Sequence, residues 1–430
     1  MIETYQNFRQ FAPPTLNSTA LKLQEPPCIT LSNGVEIYSF VDKSQQALRI
    51  DMVFNAGSAY QNKVLVAGSA MKMMREGSKK YRAGAIHAKI DYHGAYLDLQ
   101  TTKDNSYLSL YCLDKSLPSL LPLLENIIKE PDYKEKSFKV FNKRQKQDFL
   151  VNSKKNKHLA NRLFTAQLYG PQSKYGQVAQ EEDFDELQIT DLLEFHQRHL
   201  EPSTMKIVLS GPVNDKMIKA VAAAFGGVWS KSTRPDDFVQ NTQFAPQYLF
   251  QHQEQSLQSA IMIGRPVMAR SHPDYFGFLV LNTILGGYFG SRLMKNIRED
   301  KGFTYGISSG ISTQRKATGF LIRTEVGSEV TQQALKEIQS ELNLLCNEKV
   351  SDDELTLVKN YLTGTYTRSL DGVFHQAEKF LITLENKLGM KYFEDSLAAF
   401  NSITSEELLL LAQKYLNPDS MLTVVVGKEA

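Results

Sequence analysis

The sequence predicts an α+β fold made by tandem duplication: two homologous domains, each a mostly antiparallel sheet with helices packed on one face. The first observation behind this is an internal repeat. LLEFHQRHLEPSTMKIVLSG, residues 192–211, aligns with LLLLAQKYLNPDSMLTVVVG, residues 408–427, at a constant offset of 216 residues, half of the 430-residue chain. Pro202 falls on Pro418, Met205 on Met421 and Gly211 on Gly427. Each copy reads as a helix, a proline turn and a buried strand that ends in glycine. The second observation is the order of elements upstream. A strand over 260–268 echoes one over 48–55, a helix over 275–285 echoes one over 64–75, and Gly302 falls where Gly94 does. The third is SKSTRPDDF, residues 230–238, polar and with one proline, which is the composition of a linker. The expected division is an N-terminal arm over 1–27, a first domain over 28–229, a linker over 230–240 and a second domain over 241–430.

In chain order, the arm is polar and punctuated by Pro13-Pro14 and Pro26-Pro27, which favours an extended path over a domain surface. β-Branched, aromatic and alternating apolar residues place strands over 35–41 and 47–55. Helices follow over 64–75 and 83–92, then strands over 95–101 and 106–113 joined by the polar turn Lys103-Asp104-Asn105. Amphipathic helices are expected over 117–128 and across 134–168.

Charge and composition exclude several function classes. A net charge of +2 is too small to mark nucleic acid or an anionic membrane as the general partner. Three cysteines, Cys28, Cys112 and Cys346, are far apart and odd in number, so neither a disulfide framework nor a CxxC metal site is indicated. A reducing, cytoplasmic location is the expectation. The first residues lack the basic start and apolar core of a signal peptide. The longest apolar run, 275–285 with its Asn282, is too short to span a bilayer. No GxxxxGK[ST] or GxGxxG follows a strand and GxSxG is absent, so nucleotide binding and serine hydrolysis have no support.

The most informative stretch is LGGYFGSRLMKNIREDKGFTY, residues 285–305. Gly286 and Gly287 follow an apolar run, where a glycine pair turns the chain or admits another backbone closely. A short helix should come next, with Leu293, Met294 and Ile297 on one face and Arg298 near its C-terminus. Gly302 should end it before an aromatic strand opens at Phe303. Arg298 and Tyr305 then stand seven residues apart. Two long donors converging from a helix end and a strand start could hold a peptide carbonyl or a developing oxyanion. An Arg on a solvated helix face and a Tyr in a sheet is the plainer alternative.

This LGG…SRL…IREDKGFTY pattern resembles the C-terminal-half signature of the pitrilysin/insulinase family of zinc peptidases, which includes the mitochondrial processing peptidases. The resemblance covers nearly the whole chain from Cys28 and implies the LuxS/MPP-like metallopeptidase fold. It implies that Arg298 and Tyr305 reach into the active site of a facing zinc-bearing domain, with Gly286 and Gly287 where substrate backbone passes. Active members carry HxxEH on the first long helix: two His ligands and a Glu general base. Here VLVAGSAMKMMREGSKKY, aligned on Gly77-Ser78, puts Gly68 and Lys72 at the His positions and Met71 at the Glu position. Glycine has no ligand atom, methionine cannot take a proton from water, and an ammonium repels a divalent cation. The helix that should carry the third ligand offers only Asp148 amid seven Lys and Arg residues. If that basic helix, 134–157, lines a chamber, its wall favours acidic peptides. The pairs His87/His93 and His196/His199 lack the ligand spacing. The family's substrate-binding edge strand appears as GAYLDLQTT, with Asp98 where the family has Asn.

Loss of HxxEH with retention of Arg298 and Tyr305 is what the non-catalytic subunit of a heterodimeric zinc peptidase would show. Such a chain carries no cofactor of its own. Zinc is expected on the partner, an HxxEH homologue with which it encloses a chamber for peptide substrates, and a homodimer stays open to the isolated chain. The alternative is a structural or interaction protein of the same fold with no role in proteolysis, as the core subunits of bc1-type complexes resemble this family.

Overall fold

The computed structural model describes residues 23–229, 237–240 and 243–428. Most of the expected arm and linker lies outside the described residues. The first half runs β1 (Cys28–Thr30), β2 (Glu36–Val41), β3 (Ala47–Phe54), α1 (Val66–Met73), α2 (Ala83–Tyr92), β4 (Tyr96–Thr101) and β5 (Ser106–Leu113). It continues through α3 (Leu117–Lys129), α4 (Glu135–Ser153), α5 (Asn156–Tyr169), α6 (Glu182–Glu186), α7 (Ile189–His199), β6 (Met205–Gly211) and α8 (Asp215–Phe225). The second half runs β7 (Gln247–His252), β8 (Gln258–Val267), α9 (Tyr275–Asn282), β9 (Ile307–Thr313) and β10 (Thr318–Gly327). It closes with α10 (Thr331–Asn347), α11 (Asp352–Arg368), α12 (Val373–Glu385), α13 (Lys391–Ser402), α14 (Ser405–Tyr415) and β11 (Leu422–Gly427).

The strand order is β1-β2-β6-β3-β5-β4 in one sheet and β7-β11-β8-β10-β9 in the other. Apart from β1, the second sheet repeats the first strand for strand. Its one parallel pair, β11 with β7, stands where β6 pairs in parallel with β2. The duplication extends to local chemistry. Capping boxes formed by Gln188 with Asp191 and by Thr404 with Glu407 open α7 and α14; each satisfies two amides that the first turn leaves free. Gly94 and Gly302 both take positive φ, 56° and 66°, where a side chain would be strained.

Two expectations need correcting. The run 134–168 is divided, since α4 stops at Ser153, whose hydroxyl turns back to the Leu150 carbonyl (3.0 Å), and α5 starts afresh at Asn156. The aromatic segment at Phe303 is not yet strand, and β9 opens only at Ile307. The Phe303 amide donates to the Ile297 carbonyl (3.0 Å), and the Thr304 hydroxyl reaches the Glu325 carbonyl (2.7 Å), so 303–306 is held as a helix-capping loop.

The halves are joined by an exchange of helices. α5 leaves its own half and lies across β8 and β11 of the other, where Phe164, Leu168 and Tyr169 bury with Met262, Val424 and Val426. α12 makes the reciprocal crossing onto β2 and β6, burying Ala377, Phe380 and Leu381 with Phe40, Val53 and Val208. Each sheet is thereby covered on both faces, which explains why β3 is buried along nearly its whole length. The two inner hairpin turns also meet. Arg315, in the β9–β10 turn, donates its amide to Asp104 Oδ2 (2.8 Å) and its guanidinium to Asn55 (2.9 Å), Asn105 (3.0 Å) and Tyr60 (3.1 Å).

Where α5 seats, the sheet has glycines. A Cβ at Gly264 would stand 2.0 Å from the Phe320 carbonyl oxygen and 2.9 Å from Phe164, and one at Gly319 would meet Leu168 at 2.7 Å. Gly264→Ala should therefore destabilise the protein by about 1–3 kcal/mol through overpacking. Gly364→Ala, in the interior of α11 with open space around it, should stabilise it by about 1 kcal/mol through helix propensity. Urea denaturation of the two variants checks this. Equal effects at both positions would show that close approach at Gly264 does not limit the fit.

Candidate functional site

The resemblance sets the zinc motif on α1, where Gly68, Met71 and Lys72 lie as follows. Gly68 and Lys72, one turn apart, share the outward face. Open space surrounds the missing side chain at Gly68, and Lys72 is exposed, its Nζ 3.4 Å from Gln145 on α4. Met71 points the other way and is fully buried in the core of the first half. The fold thus brings α1 beside α4, but the groups there are a bare backbone, a thioether in the core and an ammonium. This donor set does not fit a zinc ion. Among the described residues, no three His, Cys, Asp or Glu side chains come together as a metal site. The α4 lysines are partly committed elsewhere, with Lys139 facing Glu135 and Lys146 facing Asp185 and Glu181.

His196 and His199 are buried on α7. His196 Nε2 lies 2.7 Å from the Ile128 carbonyl, and burial lowers its pKa to about 4. His199 stacks on Phe195, and burial, with Arg198 and Lys174 nearby, lowers its pKa to about 4 as well.

The segment after α9 is wound as two wide π-helical turns, Thr283–Gly287 and Met294–Asp300, a geometry that recurs at functional sites. Gly286 is buried, and a Cβ there would stand 2.6 Å from the Ser309 amide nitrogen. The backbone it admits is the chain's own β9. Of the glycine pair, Gly287 alone reaches the surface. Leu293, Met294 and Ile297 bury one face as the pattern predicts. Arg298 lies over the Phe289 ring, 4.5 Å from its centroid, with Glu299 at 3.9 Å, so Phe289 supplies a cation–π platform for it.

Tyr305 precedes β9 and is 97% exposed. It stands at a cleft of about 800 Å³ between the α4–α5 junction and the outer face of the second sheet. Arg298 is not among the residues lining that cleft. Across the cleft from the sheet stand Lys155, Lys157 and His158, and the sheet contributes Ser308, Arg323 and Glu325. Asp98 sits half-buried on β4, the edge strand of the first sheet, paired in register with Ser109. It belongs to an outward face with Tyr96, whose ring lies 6.1 Å from that of Tyr111.

Sequence reasoning missed two features. The Arg315 cluster joins positions some 210 residues apart; its signal was the repeat, which sets the β9–β10 turn opposite Lys103-Asp104-Asn105. The cleft is formed only because α5 crosses to the other sheet, which no local pattern reports.

A duplicated sheet-and-helix fold, with an exposed tyrosine at the second-half cleft and, among the described residues, no cluster of metal donors, is the scaffold of a zinc-peptidase family. Residues 37–177 match the insulinase family (peptidase family M16) and residues 186–362 match the peptidase M16 inactive domain. The chain belongs to the M16 peptidase family. It is 21% identical over 402 residues to an uncharacterized zinc protease of Bacillus subtilis (strain 168), YmxG, covering 92% of this chain and 97% of that protein. It is 20% identical over 392 residues to a non-peptidase homolog of Helicobacter pylori, covering 85% and 89%. Among solved structures, the peptidase M16 inactive domain from Pseudomonas fluorescens superposes with a TM-score of 0.87 at 23% identity, covering 94% of this chain and 98% of that one.

Two outcomes follow from this geometry. The purified chain, washed exhaustively, should carry far less than one zinc per molecule by atomic emission and cleave no quenched peptide; stoichiometric zinc with EDTA-sensitive turnover would mean that donors outside α1 have been recruited. The histidines set a pH window. Their folded pKa values near 4 lie below the ordinary 6.5, so on acidification the unfolded chain takes up protons first. Their contribution to stability is complete above about pH 6.5 and is lost as the pH falls towards 4. Melting temperatures from neutral to acid pH should fall less steeply for His196→Gln/His199→Gln than for the parent. Identical slopes would assign the acid sensitivity to other groups.

Proposed function

We propose that this chain is the non-catalytic subunit of a heterodimeric zinc peptidase. The partner, an M16 chain with an intact HxxEH helix, supplies the zinc, its ligands and the general base. This chain supplies one wall of the chamber and two donors, Arg298 and Tyr305, that act in trans on the scissile carbonyl. The observation that carries the reading is Tyr305: an aromatic side chain left 97% exposed, at a cleft, on a chain whose own metal helix holds no donors. What supports the role is its place at the cleft, with a phenolic hydroxyl that can donate to an acceptor on a facing subunit. Arg298, stacked on Phe289, keeps guanidinium N–H groups for an acceptor on a facing subunit. The name of the Helicobacter pylori relative, a non-peptidase homolog, agrees with a subunit that assists without cleaving.

The second reading is a structural protein of the same fold. It has one observation in its favour: cytochrome b-c1 complex subunit 1 of Bos taurus is 22% identical over 268 residues, covering 60% of this chain and 55% of that one.

Kinetics of the zinc-bearing homologue assembled with this chain separates the two readings. Donors that tighten on the oxyanion act on kcat more than on KM. Loss of one such donor costs ~3 kcal/mol, roughly a hundredfold in rate. Tyr305→Phe removes only a hydroxyl and should show that loss with the heterodimer intact by gel filtration; Arg298→Lys, which keeps charge but loses the planar fork, should show a smaller one. An unchanged kcat with Tyr305→Phe and Arg298→Ala combined would leave the structural reading standing.

A further inference from the structure

The cleft at Tyr305 carries cations that the fold does not use. Lys155 and Lys157 come from the α4–α5 junction and Arg323 from β10, so the positive groups face one another across the opening. All three are exposed. Among the described residues, none of them has a carboxylate within ion-pair distance. Lys155 Nζ donates to Asn152 Oδ1 (2.9 Å) and Arg323 Nε to Ser308 Oγ (3.3 Å). On α4, by contrast, Lys139 and Lys146 do have acidic partners. Glu325 is the one carboxylate in the lining, so the cleft keeps a positive excess. His158 adds no charge at neutral pH, because burial and the nearby Arg162 and Lys155 hold its pKa below the ordinary value. The volume, about 800 Å³, is that of a ligand site. Beside it runs β9, the last strand of its sheet, whose Ser308 is part of the lining and whose outer edge can take an extended peptide.

We infer that this cleft is a binding site for an acidic peptide: the peptide backbone lies along β9 and a carboxylate sits between Lys157 and Arg323. The inference rests on the peptide-handling role proposed above and adds the substrate class. Arg323 offers a fork that holds a carboxylate through two parallel bonds, and Lys157 offers a point charge from the opposite wall. The carboxylate is a side chain or a chain terminus; the recognition chemistry is the same for both.

The test needs neither partner nor zinc. Fluorescein-labelled peptides of one sequence, blocked at both ends and carrying Glu, Gln or Lys at a central position, are titrated with the full chain by fluorescence anisotropy. A further arm uses the Gln peptide with a free C-terminal carboxylate. The Glu peptide should bind about tenfold tighter than the Gln peptide at low salt, as charge-assisted pairs allow, with the Lys peptide weakest and the gap narrowing at high salt. Tighter binding of the free-acid Gln peptide alone would assign the carboxylate to a chain terminus and equally support the site. Lys157→Gln and Arg323→Gln should each move the preference towards one, and Lys43→Gln, outside the cleft, should leave it in place. A wild-type chain indifferent to both kinds of carboxylate overturns the inference, as does a preference that survives Lys157→Gln with Arg323→Gln. Failure here with Tyr305→Phe still lowering kcat removes the acidic site alone, whereas a clear preference here with unchanged kcat removes the trans donors alone.

Discussion

A sheet with apolar residues on both faces must be covered on both, and neither half of this molecule can do that with helices held against its own sheet. The exchange of α5 and α12 resolves the constraint. Phe164 and Leu168 close one sheet, and Phe380 and Leu381 close the other. Everything else at the centre depends on this crossing. It sets the two hairpin turns in contact so that Arg315 finds Asp104, Asn55 and Asn105, and it requires glycine at 264 and 319 so that the aromatic side chains of α5 can sit directly on backbone. The polar contacts lock the alignment of the halves, and the apolar ones supply most of the driving force.

The crossing also makes the cleft. Its basic wall belongs to the first half and its sheet wall to the second, so its shape is a property of the duplicated whole. The zinc-motif helix, by contrast, lies within one half. The two regions differ in how they treat their side chains. On α1, Met71 is a core side chain that contributes to stability. At residue 305, a tyrosine stays in solvent, where it contributes little to stability.

Much of this was legible in the sequence because it is local. The helix, proline turn and strand of the repeat follow from periodicity and backbone constraint, so Pro202 and Pro418 open matching turns, and α2 and β5 begin and end where their residues say. The false strand at Phe303 arose because aromatic residues mimic strand composition, while the deciding event is the capture of one amide by the Ile297 carbonyl. The burial of Gly286 against Ser309 and the stacking of Arg298 on Phe289 are contacts between segments. Spacing along the chain carries no information about those neighbours. Which sheet an amphipathic helix covers is beyond any local pattern, since α5 and α12 would read the same if each stayed at home.

The exchange has a consequence for covalent continuity. Each half contributes a helix that completes the other's core, so the surface between them resembles an obligate subunit interface more than a contact between two self-sufficient domains. The peptide bond joining them then acts mainly by raising the effective concentration of one half for the other. A chain severed between α8 and β7 would have the thermodynamics of a heterodimer, with a melting temperature that depends on concentration, and neither fragment would be expected to close its sheet alone.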